Sequence, residues 1–152
     1  MKLEPSLGEW LGSEPWDATR CDDVDADFCS LFVLSPTTSP CASAWFGDEP
    51  ARIASHFHNR VEAWSAALGI QLSHEPLGRV PSDHVAVLSG LLAHAILLGD
   101  AGASLAEQIV EEGLRPWLSR FAAAVLEKTQ NPLYRAIVQL LEILVSFQEP
   151  AR

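Results

Sequence analysis

The sequence predicts an all-α fold, a single-domain helical bundle over residues 1–152. Three observations carry that expectation. Apolar residues recur at helical spacing in several long segments. Pro, Gly, Asn, Ser and Asp stand where those segments begin and end. No segment shows the long polar–apolar alternation of a strand. With 152 residues, 48 % of them hydrophobic and 20 % charged, the chain can enclose a core and is too apolar for a disordered polar segment. It is too short for a standard eight-stranded α/β barrel or a two-half dinucleotide-binding domain.

Leu3, Leu7, Trp10 and Leu11 suit a short amphipathic helix closed by Gly12, Ser13 and Pro15. Asp22, Asp23 and Asp25 fit the first turn of a second helix, where free N–H groups favour negative charge, with Phe28, Leu31 and Phe32 as its packing face. Ser35–Pro40 reads as loop. Pro50 can open a helix whose stripe is Ile53, Phe57, Val61, Trp64 and Leu68, with Gly69 as its stop. After a linker over 71–81, Ser82 or Asp83 can cap a helix carrying Leu88, Leu91, Leu92 and Ala95, ending at Gly99. Ser104 is a candidate cap for a helix with Leu105, Ile109 and Val110. Gly113 and Pro116 predict a break or kink near Arg115, followed by a continuation with Trp117, Phe121, Ala124 and Val125. Asn131 and Pro132 suit the cap and first position of the last helix. Its expected seam is Leu133, Ile137, Leu140, Leu141, Leu144 and Phe147.

Ten Lys and Arg against 20 Asp and Glu give a formal net charge of -10, which opposes nucleic-acid binding and suits a basic peptide or protein partner. Cys21, Cys29 and Cys41 form no CxxC pair, so neither a disulfide scaffold nor a structural zinc site is expected, and a reducing cytosolic setting fits. No stretch has the length and continuity of a membrane span, so direct membrane insertion is not expected. Zinc-protease, di-iron, phosphate-loop and nucleophile-elbow patterns are absent; no catalytic residue, metal or cofactor is expected.

The densest polar feature runs from Glu75 to His84: Glu-Pro-Leu-Gly-Arg-Val-Pro-Ser-Asp-His. Two readings stand. In one, Asp83 is a helix cap, Glu75 pairs with Arg79 and His84 is a local hydrogen-bonding group. In the other, Glu75 and Asp83 offer carboxylates at the mouth of an interhelical groove to an arginine-bearing peptide, with His84 as a switchable donor or acceptor.

This segment, followed by a long apolar helix, resembles the TorD/DmsD/NarJ group of molybdoenzyme-maturation chaperones. Other blocks agree in order: Asp27–Phe28 with Leu31–Phe32; Pro40, Ser43 and Trp45; Leu114, Pro116, Trp117 and Phe121; Pro132, Leu133, Tyr134 and Ala136. Ala42 stands where that family usually has Glu, and Gly113 where it has His. Only 26 residues precede Asp27, so a TorD-like bundle with a shortened N-terminal part is expected. The resemblance implies a cytoplasmic, non-catalytic chaperone. Its partner would be a molybdopterin-containing oxidoreductase, bound through its N-terminal leader, with a homodimer as a form to test. It assigns peptide binding to Asp83 and His84, with Pro81 shaping the loop, Glu75 as acidic neighbour and Trp45 lining an apolar pocket. The alternatives are an assembly subunit without leader specificity and a nucleotide-binding protein.

Overall fold

The computed structural model describes residues 18–34, 36–46, 50–70 and 80–146. The fold is all-α, as the periodicity predicts. The helices are α1 (Ala18–Phe28), α2 (Pro50–Ala67), α3 (Val85–Leu97), α4 (Ala103–Gln108), α5 (Arg115–Lys128) and α6 (Pro132–Ser146). Wide π turns follow α1 (Cys29–Val33) and α4 (Ile109–Leu114), and short 3-10 turns occupy Pro36–Thr38, Ala42–Trp45 and Gly99–Ala101. Among the described residues the one extended pairing is an isolated antiparallel bridge between Cys41 and His84. The helix expected over Leu3–Leu11 lies outside the described residues. These elements fall into two compact units: the described residues up to Ser39 with those from Ser119 onward, and Pro40–Leu118.

In the first unit, Phe32 is the hub of an aromatic cluster. Its ring centroid lies 5.4 Å from Phe28, 6.2 Å from Phe121 and, edge-on, 5.6 Å from Tyr134. Such tilted and edge-to-face pairs place a positive ring edge near a negative face. Helix α1 starts at Ala18, so Asp22, Asp23 and Asp25 lie inside it rather than in its first turn. The loop expected over Ser35–Pro40 contains the 3-10 turn Pro36–Thr38, whose Thr38 is fully buried and donates its hydroxyl to the Leu31 carbonyl.

The start of α6 follows expectation. Asn131 Oδ1 accepts the Leu133 N–H at 3.0 Å, and the Asn131 amide donates to Asp27 Oδ2 at 2.9 Å. Arg135 donates to the Leu126 and Thr129 carbonyls at 3.1 and 3.3 Å, satisfying acceptors that the end of α5 leaves open. The buried face of α6 differs from the expected seam. Tyr134, Ala136, Val138 and Val145 are buried, while Ile137 and Leu140 are 42 % and 46 % exposed. The Tyr134 hydroxyl donates to the Val24 carbonyl at 2.9 Å while its ring meets Phe32. Those two contacts set the helix rotation, and an apolar count along α6 does not contain them.

In the second unit the α2 stripe is as expected: Phe57, Val61, Trp64 and Leu68 are buried. Ile53 is a residue of α2 whose side chain lies outside the description. From α3, Leu88, Leu91, Leu92 and Ala95 are buried. Gly69 and Gly99 close α2 and α3 with φ of +67° and +59°, the left-handed conformation that costs glycine little.

Two expectations change between α3 and α5. Gly102, not Ser104, is the residue flanking the start of α4, and no side chain caps it. The break expected at Pro116 is a π turn. The Arg115 N–H bonds to the Val110 carbonyl, five residues back. The wider turn relieves the clash a proline makes with the carbonyl four residues before it. The Trp117 indole donates to the Gly113 carbonyl at 2.7 Å. Gly113 also lets the turn approach α2: a β-carbon there would lie 3.2 Å from the Trp64 ring and 3.6 Å from Leu88. Glu111–Arg115 and Arg60–Glu112 pair across this region at the partly exposed surface, where such pairs contribute little.

A β-carbon on Gly102 would fall on the Ala95 carbonyl, whereas one on Gly90, within α3, meets nothing within 4 Å. Gly102→Ala should lower stability by about 1–3 kcal/mol, as overpacking does. Gly90→Ala should raise it by about 0.4–1 kcal/mol. Urea unfolding midpoints of the two variants, moving in opposite directions, check both.

Candidate functional site

The site lies within the Pro40–Leu118 unit, where the Pro40–Phe46 segment meets the start of α3. Pro81 opens a turn in which the His84 N–H reaches the Pro81 carbonyl at 3.0 Å. His84 is extended, with φ -72° and ψ 139°, and is the N-cap of α3. Its Nδ1 accepts the Ala86 N–H at 3.1 Å. The cap expected at Ser82 or Asp83 therefore falls on His84. The physical reason is the destination of the other two side chains.

Asp83 is 2 % exposed. Its Oδ2 accepts the Ser43 N–H at 2.8 Å, and its own carbonyl accepts the Ala42 N–H at 3.0 Å. Ala42 and Ser43 are the first residues of the Ala42–Trp45 turn, so Asp83 satisfies consecutive donors at its open end. The Val85 N–H donates to the Pro40 carbonyl at 2.8 Å, completing the Cys41–His84 bridge. Asp83 thus caps a turn 40 positions earlier in sequence, not the helix that follows it. Ser82 faces α2: its Oγ lies 2.9 Å from His58 Nδ1.

Of the residues singled out by sequence, Pro81, Asp83 and His84 lead directly into α3, and Asp83 is bonded to the turn that ends in Trp45. Trp45 is half-buried at the end of the turn that Asp83 holds, and Pro81, two residues before Asp83, is exposed. Glu75, and with it the Glu75–Arg79 pairing, lies outside the described residues. Three further participants were not named as binding residues, although Ser43 belongs to the family-like block Pro40, Ser43 and Trp45. Ser43 contributes its backbone N–H, a role that its side chain does not signal. His58 joins through Ser82 from 24 positions away. Phe46, next to Trp45, is 36 % exposed and lies 6.0 Å from Phe57, tying the turn to α2. No group of three or more His, Cys, Asp and Glu among the described residues is placed to hold a metal ion. No helix among them is long and apolar enough to cross a membrane.

Burial lowers the proton affinity of His84 below the usual value of 6.5, and the neighbouring Asp83 charge opposes this without overcoming it. A neutral ring also suits the capping bond, since a proton on Nδ1 would displace the Ala86 N–H. The unfolded chain therefore takes up its proton at higher pH than the folded one. The stabilisation is complete above about pH 6.5 and declines as pH falls through that value toward the folded pKa. His84→Asn retains a capping oxygen without a titrating ring. The loss of stability between pH 7.5 and 5.5, measured by urea unfolding, should be smaller in this variant than in the unsubstituted chain.

Comparison with known proteins places the sequence in a family. The family model described as nitrate reductase delta subunit matches residues 2–123. A TorD chaperone of Shewanella pealeana is 28 % identical over 128 residues, covering 78 % of this chain and 55 % of its own length. One from Shewanella amazonensis is 29 % identical over 137 residues, covering 76 % and 57 %. One from Escherichia coli is 29 % identical over 131 residues, covering 81 % and 60 %. The chain thus matches less than two thirds of the length of these curated relatives. No solved structure matches it. The family match extends over most of the chain and includes the whole Pro40–His84 site, and the chain belongs to the nitrate reductase delta subunit family, the TorD/DmsD/NarJ group that its motifs resemble.

Proposed function

We propose that this chain is a non-catalytic chaperone that works in the cytoplasm and binds the N-terminal leader of a molybdopterin-containing oxidoreductase until that enzyme is mature. The observation that supports the reading is the bonding of buried Asp83, in the Pro-x-Asp-His segment, to the turn that ends in Trp45, beside the Cys41–His84 bridge. Its relatives are named as chaperones, which supports the same class of activity.

The chemistry suits a leader with a basic and an apolar part. A net charge of -10 draws a cationic peptide toward the protein. Half-buried Trp45 and exposed Phe46 provide aromatic surface for its apolar part. The depressed proton affinity of His84 keeps a positive charge out of the site, so His84 does not repel the arginines. Glu75 belongs to the proposed site on its sequence position beside the motif.

The test is calorimetry with a synthetic peptide carrying two consecutive arginines before an apolar stretch of Leu and Ala, with a twin-lysine version as control. Stoichiometric binding is expected, tighter for the arginine peptide. Trp45→Ala should weaken it about tenfold, the scale of an aromatic anchor near 1.4 kcal/mol. If neither peptide binds, and a leaderless oxidoreductase co-purifies with the chain as well as the complete one, the leader reading fails in favour of an assembly subunit.

A further inference from the structure

The placement of Asp83 deepens the leader-binding reading and rests on it. A carboxylate that contacts a leader arginine must be accessible to that arginine. Asp83 is 2 % exposed, and Oδ2 is engaged by the Ser43 N–H at 2.8 Å. The carbonyl of the same residue holds the Ala42 N–H at 3.0 Å. Ala42 is itself fully buried. Both bonds run to the opening residues of the turn that ends in Trp45. A turn this short has little hydrogen bonding of its own, so its shape depends on what holds its free N–H groups.

We propose that Asp83 is a positioning residue for leader binding: it clamps the Ala42–Trp45 turn and acts on the peptide through the Trp45 indole, not by direct contact of its carboxylate with an arginine.

The two roles differ in what substitution does. A clamp needs an acceptor for the Ser43 N–H, and Asn supplies one while Ala does not. A direct partner of arginine needs the negative charge, which both substitutions remove. The experiment has two parts. In the first, the chain is labelled with 5-fluorotryptophan, the Trp45 resonance is assigned by its absence in Trp45→Phe, and fluorine NMR spectra are recorded without peptide. Asp83→Ala should shift or broaden the Trp45 resonance and leave those of Trp64 and Trp117 in place. That pattern also shows that the variant is folded. In the second part, the twin-arginine peptide is titrated into Asp83→Asn, Asp83→Ala, Trp45→Ala and the Asp83→Ala/Trp45→Ala double variant.

The expected result is a clear loss for Asp83→Ala that does not exceed the loss of about tenfold for Trp45→Ala, about 1.4 kcal/mol. Asp83→Asn should stay within about threefold of the unsubstituted chain, under 1 kcal/mol by the same conversion. The double variant should bind no more weakly than Trp45→Ala alone, since residues that act as one unit do not add. Equal losses for Asn and Ala, additive losses in the double variant, or a Trp45 resonance unmoved in Asp83→Ala would each overturn the proposal while leaving the leader reading intact. Failure of the unsubstituted chain to bind overturns that reading, and this proposal with it.

Discussion

The contact between the Asp83 carboxylate and the Ser43 amide is the constraint on which the candidate site depends. Removing a carboxylate from water costs several kcal/mol, and the cost is tolerable only where donors meet the charge. Here the donor is a backbone N–H at the start of a short turn, so the same bond meets needs on both sides. Because Asp83 faces that turn, the duty of capping α3 passes to His84. Burial of the His84 ring lowers its proton affinity, and a neutral ring suits the acceptor role of Nδ1 in the cap. The backbone bonds on either side then join Pro40 to Val85 and Ala42 to Asp83. The polarity of the site thus descends from one orientation, that of the Asp83 side chain.

The helices were legible in the sequence wherever the apolar stripe at helical spacing is also the buried face. The α2 stripe from Phe57 to Leu68 and the α3 face from Leu88 to Ala95 are such cases. Caps that act on the next few residues were legible too, as at Asn131. Three other features were not. The rotation of α6 follows from Tyr134 reaching Val24, 110 positions earlier. The proline at 116 reads as a break, because local rules cannot foresee a π turn that widens to receive it. Asp83 reads as a cap for the nearest helix, since sequence proximity hides a partner 40 residues away. In each case the deciding bond is long-range or depends on backbone groups common to every residue.

For the site itself, the residue types were readable and their duties were not. The Pro-x-Asp-His motif and Trp45 could be picked out, and the structure bonds Asp83 to the turn that ends in Trp45. Asp83 is buried against the turn, whereas Trp45 is half-buried and its neighbour Phe46 is 36 % exposed. Ala42 fits this arrangement. It is fully buried under the clamp, where the family's more usual Glu would bring a second carboxylate into the same dry space.

The bond from Ser43 to Asp83 also has a consequence in time. It closes a span of 40 residues that contains all of α2. On a growing chain, the Trp45 turn emerges well before the residue that holds it. Closing a loop of that size carries an entropic cost that grows with the logarithm of its length, and α2 shortens the free part by folding within it. The aromatic surface therefore acquires its final shape late, once α2 has turned back and α3 has begun. A chain halted before Asp83 would carry Trp45 without the bond that holds its turn, so the final form of that turn is coupled to completion of the helical pair.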